Sequence, residues 1–290
     1  MRSIIKLIRP KEWIKNGFLF IPSFFAGNLF DPAELIRITL AAAAFCMVAS
    51  GVYVINDFND RAADRLHPKK KNRPLASGKV KESTAIVLMI ALFAGGLVMS
   101  FFINVVFFYL LLIYLGINIL YSYGLKNVPI LDLFIVASGF IIRIYSGGVV
   151  GAVPVSHWLA IMILLSALFL VTAKRRDDLV VSSTTGGVVR KASQSYNLEF
   201  INSCLTLLAA VMIVAYIMYT FSPEVTARFK SDYLFSTTVF VIAGIMRYLQ
   251  IAFVEKDSGS PTSVLYKDRF IILTIVGWVI TFYIIIYVSK

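Results

Sequence analysis

Nine stretches of this 290-residue chain are nearly unbroken in their apolar character. They lie near Ile14 to Leu29, Ala33 to Ile55, Ser83 to Phe102, Val105 to Tyr121, Val128 to Val150, Trp158 to Ala173, Leu205 to Phe221, Leu234 to Phe253 and Phe270 to Val288. Crossing the hydrocarbon core of a bilayer takes about 20 apolar residues of helix, so these runs predict membrane spans. Strands of a membrane barrel would be shorter, about ten residues, and would alternate in polarity, which these do not. Composition agrees: 59% of residues are hydrophobic, 15% are charged and the mean hydropathy is +0.81, which excludes a soluble enzyme and a disordered chain. Nine spans use nearly the whole length. The expected fold is therefore all-α and polytopic, about nine transmembrane helices in a single integral-membrane domain covering 1–290, with no cleavable signal peptide.

The formal net charge is +12. In a membrane protein such an excess first reports orientation, because Lys and Arg accumulate in cytoplasmic loops. With the N-terminus inside, the lead-in and the loops Asn56 to Glu82, Ser122 to Asn127, Lys174 to Cys204 and Val254 to Arg269 carry 22 of the 28 Lys and Arg residues, and the opposite side carries three. That bias predicts a multi-pass protein of the inner (plasma) membrane, its longer polar loops facing the cytoplasm, and it accounts for the charge without nucleic acid. Cys46 and Cys204 lie in apolar runs without metal-ligand spacing, so neither a disulfide framework nor a zinc site is expected.

The second run ends in Asn56-Asp57-Phe58-Asn59-Asp60-Arg61-Ala62-Ala63-Asp64. If the helix continues beyond the membrane edge, Asp57, Asp60 and Asp64 fall within about 60° of one another and form one carboxylate face. Three like charges there call for a cation, and oxygen ligands without His or Cys suit Mg2+; a solvated helix end paired with Arg61 and Arg65 is the simpler alternative. The basic run His67 to Gly78 follows, with Lys69, Lys70, Lys71 and Arg73, and its cations could hold a diphosphate or anionic lipid headgroups. Arg143 falls well inside the fifth span, where a guanidinium costs at least about 2.5 to 3.5 kcal/mol on insertion scales, so it must face a polar interior. Asp132 lies on nearly the same helix face but about 16 Å of rise away, too far for a direct ion pair.

The pattern N-D-x-x-D-x-x-x-D, followed by a basic stretch and Arg73-Pro74-Leu75-Ala76-Ser77-Gly78, resembles the first aspartate-rich motif of the UbiA-type intramembrane prenyltransferase superfamily. The resemblance covers essentially the whole chain and implies nine helices around a central cavity open to lipid and cytoplasm. Within the superfamily, Arg9 to Asn16, His67 to Lys70, Tyr121 to Lys126 with Leu131-Asp132, and Lys174-Arg175 resemble the phosphoribosyltransferases that act on decaprenyl phosphate. That similarity implies an Mg2+-dependent transfer of 5-phosphoribosyl from phosphoribosyl diphosphate to a polyprenyl phosphate, for cell-envelope polysaccharide precursors. It further implies that Asp57, Asp60 and Asp64 are the catalytic metal ligands, and that Lys15, Asn56, Arg61, Lys70, Arg73, Tyr121, Lys126, Arg143, Lys174, Arg175 and Asp178 bind substrate.

One departure from the superfamily pattern bears on the donor. Users of prenyl diphosphates carry a second D-x-x-x-D motif after span six, whereas this loop opens Lys174-Arg175-Arg176-Asp177-Asp178-Leu179 and has Val181 four residues after Asp177. More cation and less carboxylate suits a donor with a second phosphate and an acceptor that brings a third. Two other readings stay open on sequence alone: a UbiA-type enzyme that moves a prenyl group from prenyl diphosphate to an aromatic or other small acceptor, and a transporter in which Arg143 and the acids line an ion path.

Overall fold

The computed structural model describes residues 2–66, 70–185, 195–255, 264–265 and 267–285. All regular structure among them is helical, and seven helices are long and apolar enough to cross a membrane. The chain divides into two compact units, Met1–Val155 and Ser156–Lys290.

In the first unit, α1 (Arg2–Ile8) leads into a 3-10 segment (Pro10–Phe20) and the short α2 (Ile21–Ala26). The expected helix from Ile14 to Leu29 is thus 3-10 as far as Phe20 and α only from Ile21 to Ala26. Pro22 has no N–H to donate back to the preceding turn, and the segment is held by individual side-chain contacts where its own hydrogen bonds are poor. Asp31 caps α3 (Pro32–Asn59), accepting hydrogen bonds from the Ala33 and Glu34 N–H groups at 3.0 Å each. After α4 (Arg61–Leu66), α5 (Glu82–Ile103) and α6 (Val105–Tyr123) form an antiparallel pair joined by Asn104, whose side chain caps α6. The fifth span, α7 (Leu131–Val150), starts three residues later than expected, because Pro129 and the positive φ of Ile130 keep the chain out of the helix until Leu131.

Burial ranks these helices. Over their most apolar windows, 56% of α3 and of α7 is buried against 11% of α5, so α3 and α7 are interior to the unit and α5 is its lipid-facing wall. Phe45, Val48 and Val52 of α3 pack with Phe107 and Leu111 of α6, Ile142 of α7 and Leu19 of the 3-10 segment. Small residues let backbones approach: a Cβ at Gly96 of α5 would stand 2.9 Å from the Ala44 carbonyl, and one at Gly147 of α7 would strike the Leu19 backbone. A second cluster of Leu7, Val54, Leu75, Val80 and Ala85 pins α1 and the loop after α4 around the last turns of α3. That cluster fixes where the aspartates end up.

The second unit contains α8 (His157–Thr185), α9 (Leu198–Phe221), α10 (Pro223–Phe229), α11 (Thr238–Gln250), which continues through a π turn (Ile251–Glu255), and α12 (Arg269–Tyr283). Asn197 caps α9 and Asp268 caps α12. Phe169, Leu205, Met212, Ile245, Tyr248 and Ile271 form its core. The polar stretch expected as a loop from Lys174 is instead the last turns of α8, since nothing between Lys174 and Thr185 breaks a helix.

Candidate active site

The aspartate motif is nearly continuous helix. The Asp60 N–H donates to the Asn56 carbonyl at 2.9 Å and the Asp64 N–H to the Asp60 carbonyl at 2.8 Å, bridging the junction of α3 and α4. Asp57 and Asp64 are 2% and 3% exposed. Both accept from one atom, Nη1 of Arg73, at 3.0 and 2.7 Å. Arg73 arrives there because the Lys70–Asn72 turn and the buried Leu75 bring the chain back under α3. Asp57 also accepts from Arg9 Nη2. Arg9 has a left-handed backbone, φ 51° and ψ 62°, uncommon for a residue with a side chain, and the following proline disfavours continuing α1 through it. The third carboxylate diverges: Asp60 is more exposed and meets Lys126 Nζ at 2.5 Å. Among the described residues no three carboxylates converge to a metal-binding distance, so the one-face geometry is realised as a buried pair with a flanking third.

The remaining expected residues of this unit have other partners. Asn56 accepts from the Ser122 hydroxyl at 2.8 Å, tying α3 to α6 beside the buried Tyr121. Arg61 is turned to Glu82 at 2.8 Å and to the Phe58 carbonyl at 2.8 Å, lying over the Phe58 ring. Lys15 pairs with Glu12 at 2.5 Å. Lys70 is half-buried, and its carbonyl accepts the Arg73 N–H at 2.9 Å. His67, Pro68 and Lys69 lie outside the described residues.

Arg143 is 5% exposed and is held by neutral groups: Asn16 Oδ1 at 2.8 Å, the Gly139 carbonyl at 2.8 Å and the Tyr114 hydroxyl at 3.3 Å. Phe45, Tyr114 and Phe140 present their rings to its guanidinium at 4.6, 5.0 and 5.7 Å. No carboxylate pairs with it among the described residues. Aromatic faces and oriented amide oxygens thus compensate a charge that would be costly in hydrocarbon. Asp132 is fully buried in the first turn of α7.

In the second unit, Arg175 is 2% exposed and donates to Asp178 at 3.2 Å, while Lys174 is exposed. Arg176, which sequence reasoning left out, is also buried and donates from Nε to Asn202 at 2.8 Å. Arg9 was likewise outside the expected site, read as part of a basic lead-in and of the stretch to Asn16 that carries the resemblance, with no role of its own. The signal that could have found it is the polar Asn16 in an apolar run, which marks the segment from Arg9 onward as something other than a plain span.

Buried carboxylates at the end of a membrane helix, matched by Arg73 from the following loop and by Arg9 from the start of the chain, define a polar site in a polytopic helical protein. The UbiA prenyltransferase family matches this chain over residues 18–180. The chain is 33% identical to the decaprenyl-phosphate phosphoribosyltransferase of Mycolicibacterium smegmatis, with 99% of this chain and 93% of that protein aligned. It is 30% identical to the protein of the same name from Corynebacterium glutamicum, over 99% and 87%. The solved structure of a UbiA homolog from Archaeoglobus fulgidus bound to DMAPP and Mg2+ superposes with a TM-score of 0.71 at 21% identity, over 99% of each chain. The protein is a membrane-embedded transferase. It belongs to the UbiA prenyltransferase family.

Proposed function

We propose that this protein transfers the 5-phosphoribosyl group of phosphoribosyl diphosphate to a polyprenyl phosphate and releases diphosphate. The reading rests on a fourth cation of this unit, the buried Arg143, beyond the three that match the three carboxylates one for one. Arg9, Arg73 and Lys126 touch the three carboxylates, and Arg143 has no acid partner among the described residues. A donor bearing a diphosphate and a 5-phosphate, with an acceptor bearing another phosphate, needs more positive charge than one prenyl diphosphate does. The names of the full-length relatives agree with this donor.

The acid pair also fits a divalent cation. Two carboxylate oxygens already converge within 3.0 Å of one cationic nitrogen, and Mg2+ commonly takes one or two carboxylates and completes its shell with water and substrate phosphate. Asp57, Asp60 and Asp64 would hold Mg2+, whose charge when bound stabilises the departing diphosphate. Arg73, Arg9 and Lys126, adjacent to the same carboxylates, bind phosphate oxygens, and Asn56 and Tyr121 shape the wall beside them. Lys15, Arg61, Lys70, Arg143, Lys174, Arg175 and Asp178 complete the substrate-binding set. The bond from ribose C1 to the diphosphate oxygen breaks with its electron pair leaving on diphosphate, and an oxygen of the polyprenyl phosphate forms the new bond to C1 from the opposite face. That oxygen is already ionised, so the step needs no general base. Residues 1–290 act as one transferase domain of the inner membrane, with the site facing the cytoplasm and the product serving cell-envelope polysaccharide precursors.

The test uses purified full-length protein, labelled phosphoribosyl diphosphate, polyprenyl phosphates and Mg2+. A labelled lipid and free diphosphate are expected, with none formed in excess EDTA. Asp57→Asn, Asp60→Asn and Asp64→Asn should each reduce turnover at least roughly 100-fold. Prenylation of 4-hydroxybenzoate without any product from phosphoribosyl diphosphate would overturn the reading.

A further inference from the structure

A cavity of about 860 Å3 lies in the second unit, where the end of α11 meets the start of α12, and none of the residues assigned above to transfer lines it. Its wall is of two kinds. Met246 and Phe270 line it and are 63% and 50% exposed, which on helices of a bilayer protein places them against acyl chains. Arg247, Lys267 and Arg269 line it too. Arg247 is already engaged, donating to Asp268 at 2.8 Å and to Glu255 at 2.6 Å. Lys267 and Arg269 are exposed and make no ion pair among the described residues. The five charged groups sum to +1, and the two cations without an acid are both on the cavity side of α12's start.

We propose that this cavity seats the headgroup of an anionic glycerophospholipid from the surrounding bilayer, its phosphate on Lys267 and Arg269 and its chains running over Met246 and Phe270. An apolar wall below a cationic rim at a helix end matches a molecule that is charged at one end and hydrocarbon at the other. A polyprenyl phosphate shares this chemistry. Charge separates the two: the phosphodiester of a phospholipid carries one negative charge, which the net +1 of the cluster balances, whereas a phosphomonoester carries about 1.5 to 2. The inference does not depend on the transferase reading.

Full-length protein in phosphatidylcholine nanodiscs, doped with a photoreactive phosphatidylglycerol, tests it by mass-spectrometric mapping of the crosslinks. Crosslinks at residues 243–250 and 267–270 are expected, and a photoreactive phosphatidylcholine should give far fewer there. The double variant Lys267→Gln with Arg269→Gln should lower the yield at least about tenfold. Met246→Trp, which fills the groove and leaves the charges alone, should lower it as well, so that one informative variant remains if the other fails to fold. Crosslinks of the wild type mapping elsewhere, or unchanged yield in both variants, would overturn the proposal. Displacement of the phosphatidylglycerol by excess inorganic phosphate would make this a free-anion site, and displacement by equimolar polyprenyl phosphate would make it an acceptor site; either result also overturns the assignment.

Discussion

Arg73 presents one nitrogen to two buried carboxylates, and Asp64 keeps no other side-chain partner among the described residues. Losing Arg73 therefore strands a buried charge, and the cost of an unsatisfied charged group is about 2 kcal/mol or more. Arg73→Gln should lower thermal stability by that order in detergent, and Asp64→Asn added to it should restore most of the loss, because both ends are then neutral. Transfer activity should stay absent in the double variant. If the second substitution failed to recover stability, the ion pair would not be what holds this turn. The i, i+3, i+7 spacing of the aspartates was legible because the helix runs on almost unbroken through Asp60. Which cations meet them was not, because Lys126 comes from 66 residues away and Arg9 from 48, and no local rule connects such positions. Arg143 was legible as buried and in need of polar company; that the company is neutral, an asparagine, a carbonyl and three rings, was not.

Helix α12 begins at Asp268, whose carboxylate accepts from Arg247 Nη2 at 2.8 Å and caps the Ile271 N–H at 2.9 Å. The hydrogen bonds from Arg247, together with the cap, hold the Asp268 carboxyl below the usual carboxylate range. A depressed folded-state pKa gives stability that is fully present above the unfolded value of about 3.9 and fades as pH falls through the lower folded value. The melting-temperature gap between wild type and Asp268→Asn should accordingly be wide at pH 7 and close below about pH 4. A gap that does not change with pH would assign the cap no electrostatic part. Apolar run length gave most of the helices, with ends displaced where local chemistry intervenes: Pro129 delays α7, and the absence of any breaker after Lys174 lengthens α8. The 3-10 form of Pro10–Phe20 left no mark in hydropathy, since its apolar content is that of a span and only its polar insertions differ.

Charge is distributed along the chain so that most Lys and Arg lie in alternate connections between the expected spans, which the positive-inside rule reads as two sides. The exposed Ser77 and Glu224 should thus lie on opposite faces of the membrane. In a background lacking Cys46 and Cys204, an impermeant maleimide applied to inside-out vesicles should label Ser77→Cys and spare Glu224→Cys. Equal labelling of both would refute the assigned orientation. Assembly has its own order in such a chain. Asn16 finds its partner Arg143 only 127 residues later, and the Leu19 backbone rests on Gly147 of the same helix. At about 5 to 20 residues per second, the ribosome takes roughly 6 to 25 seconds to supply that docking surface. Within the first unit the segment made first is therefore among the last to reach its native packing, and through that interval its polar side chains must be sheltered by something other than the finished protein.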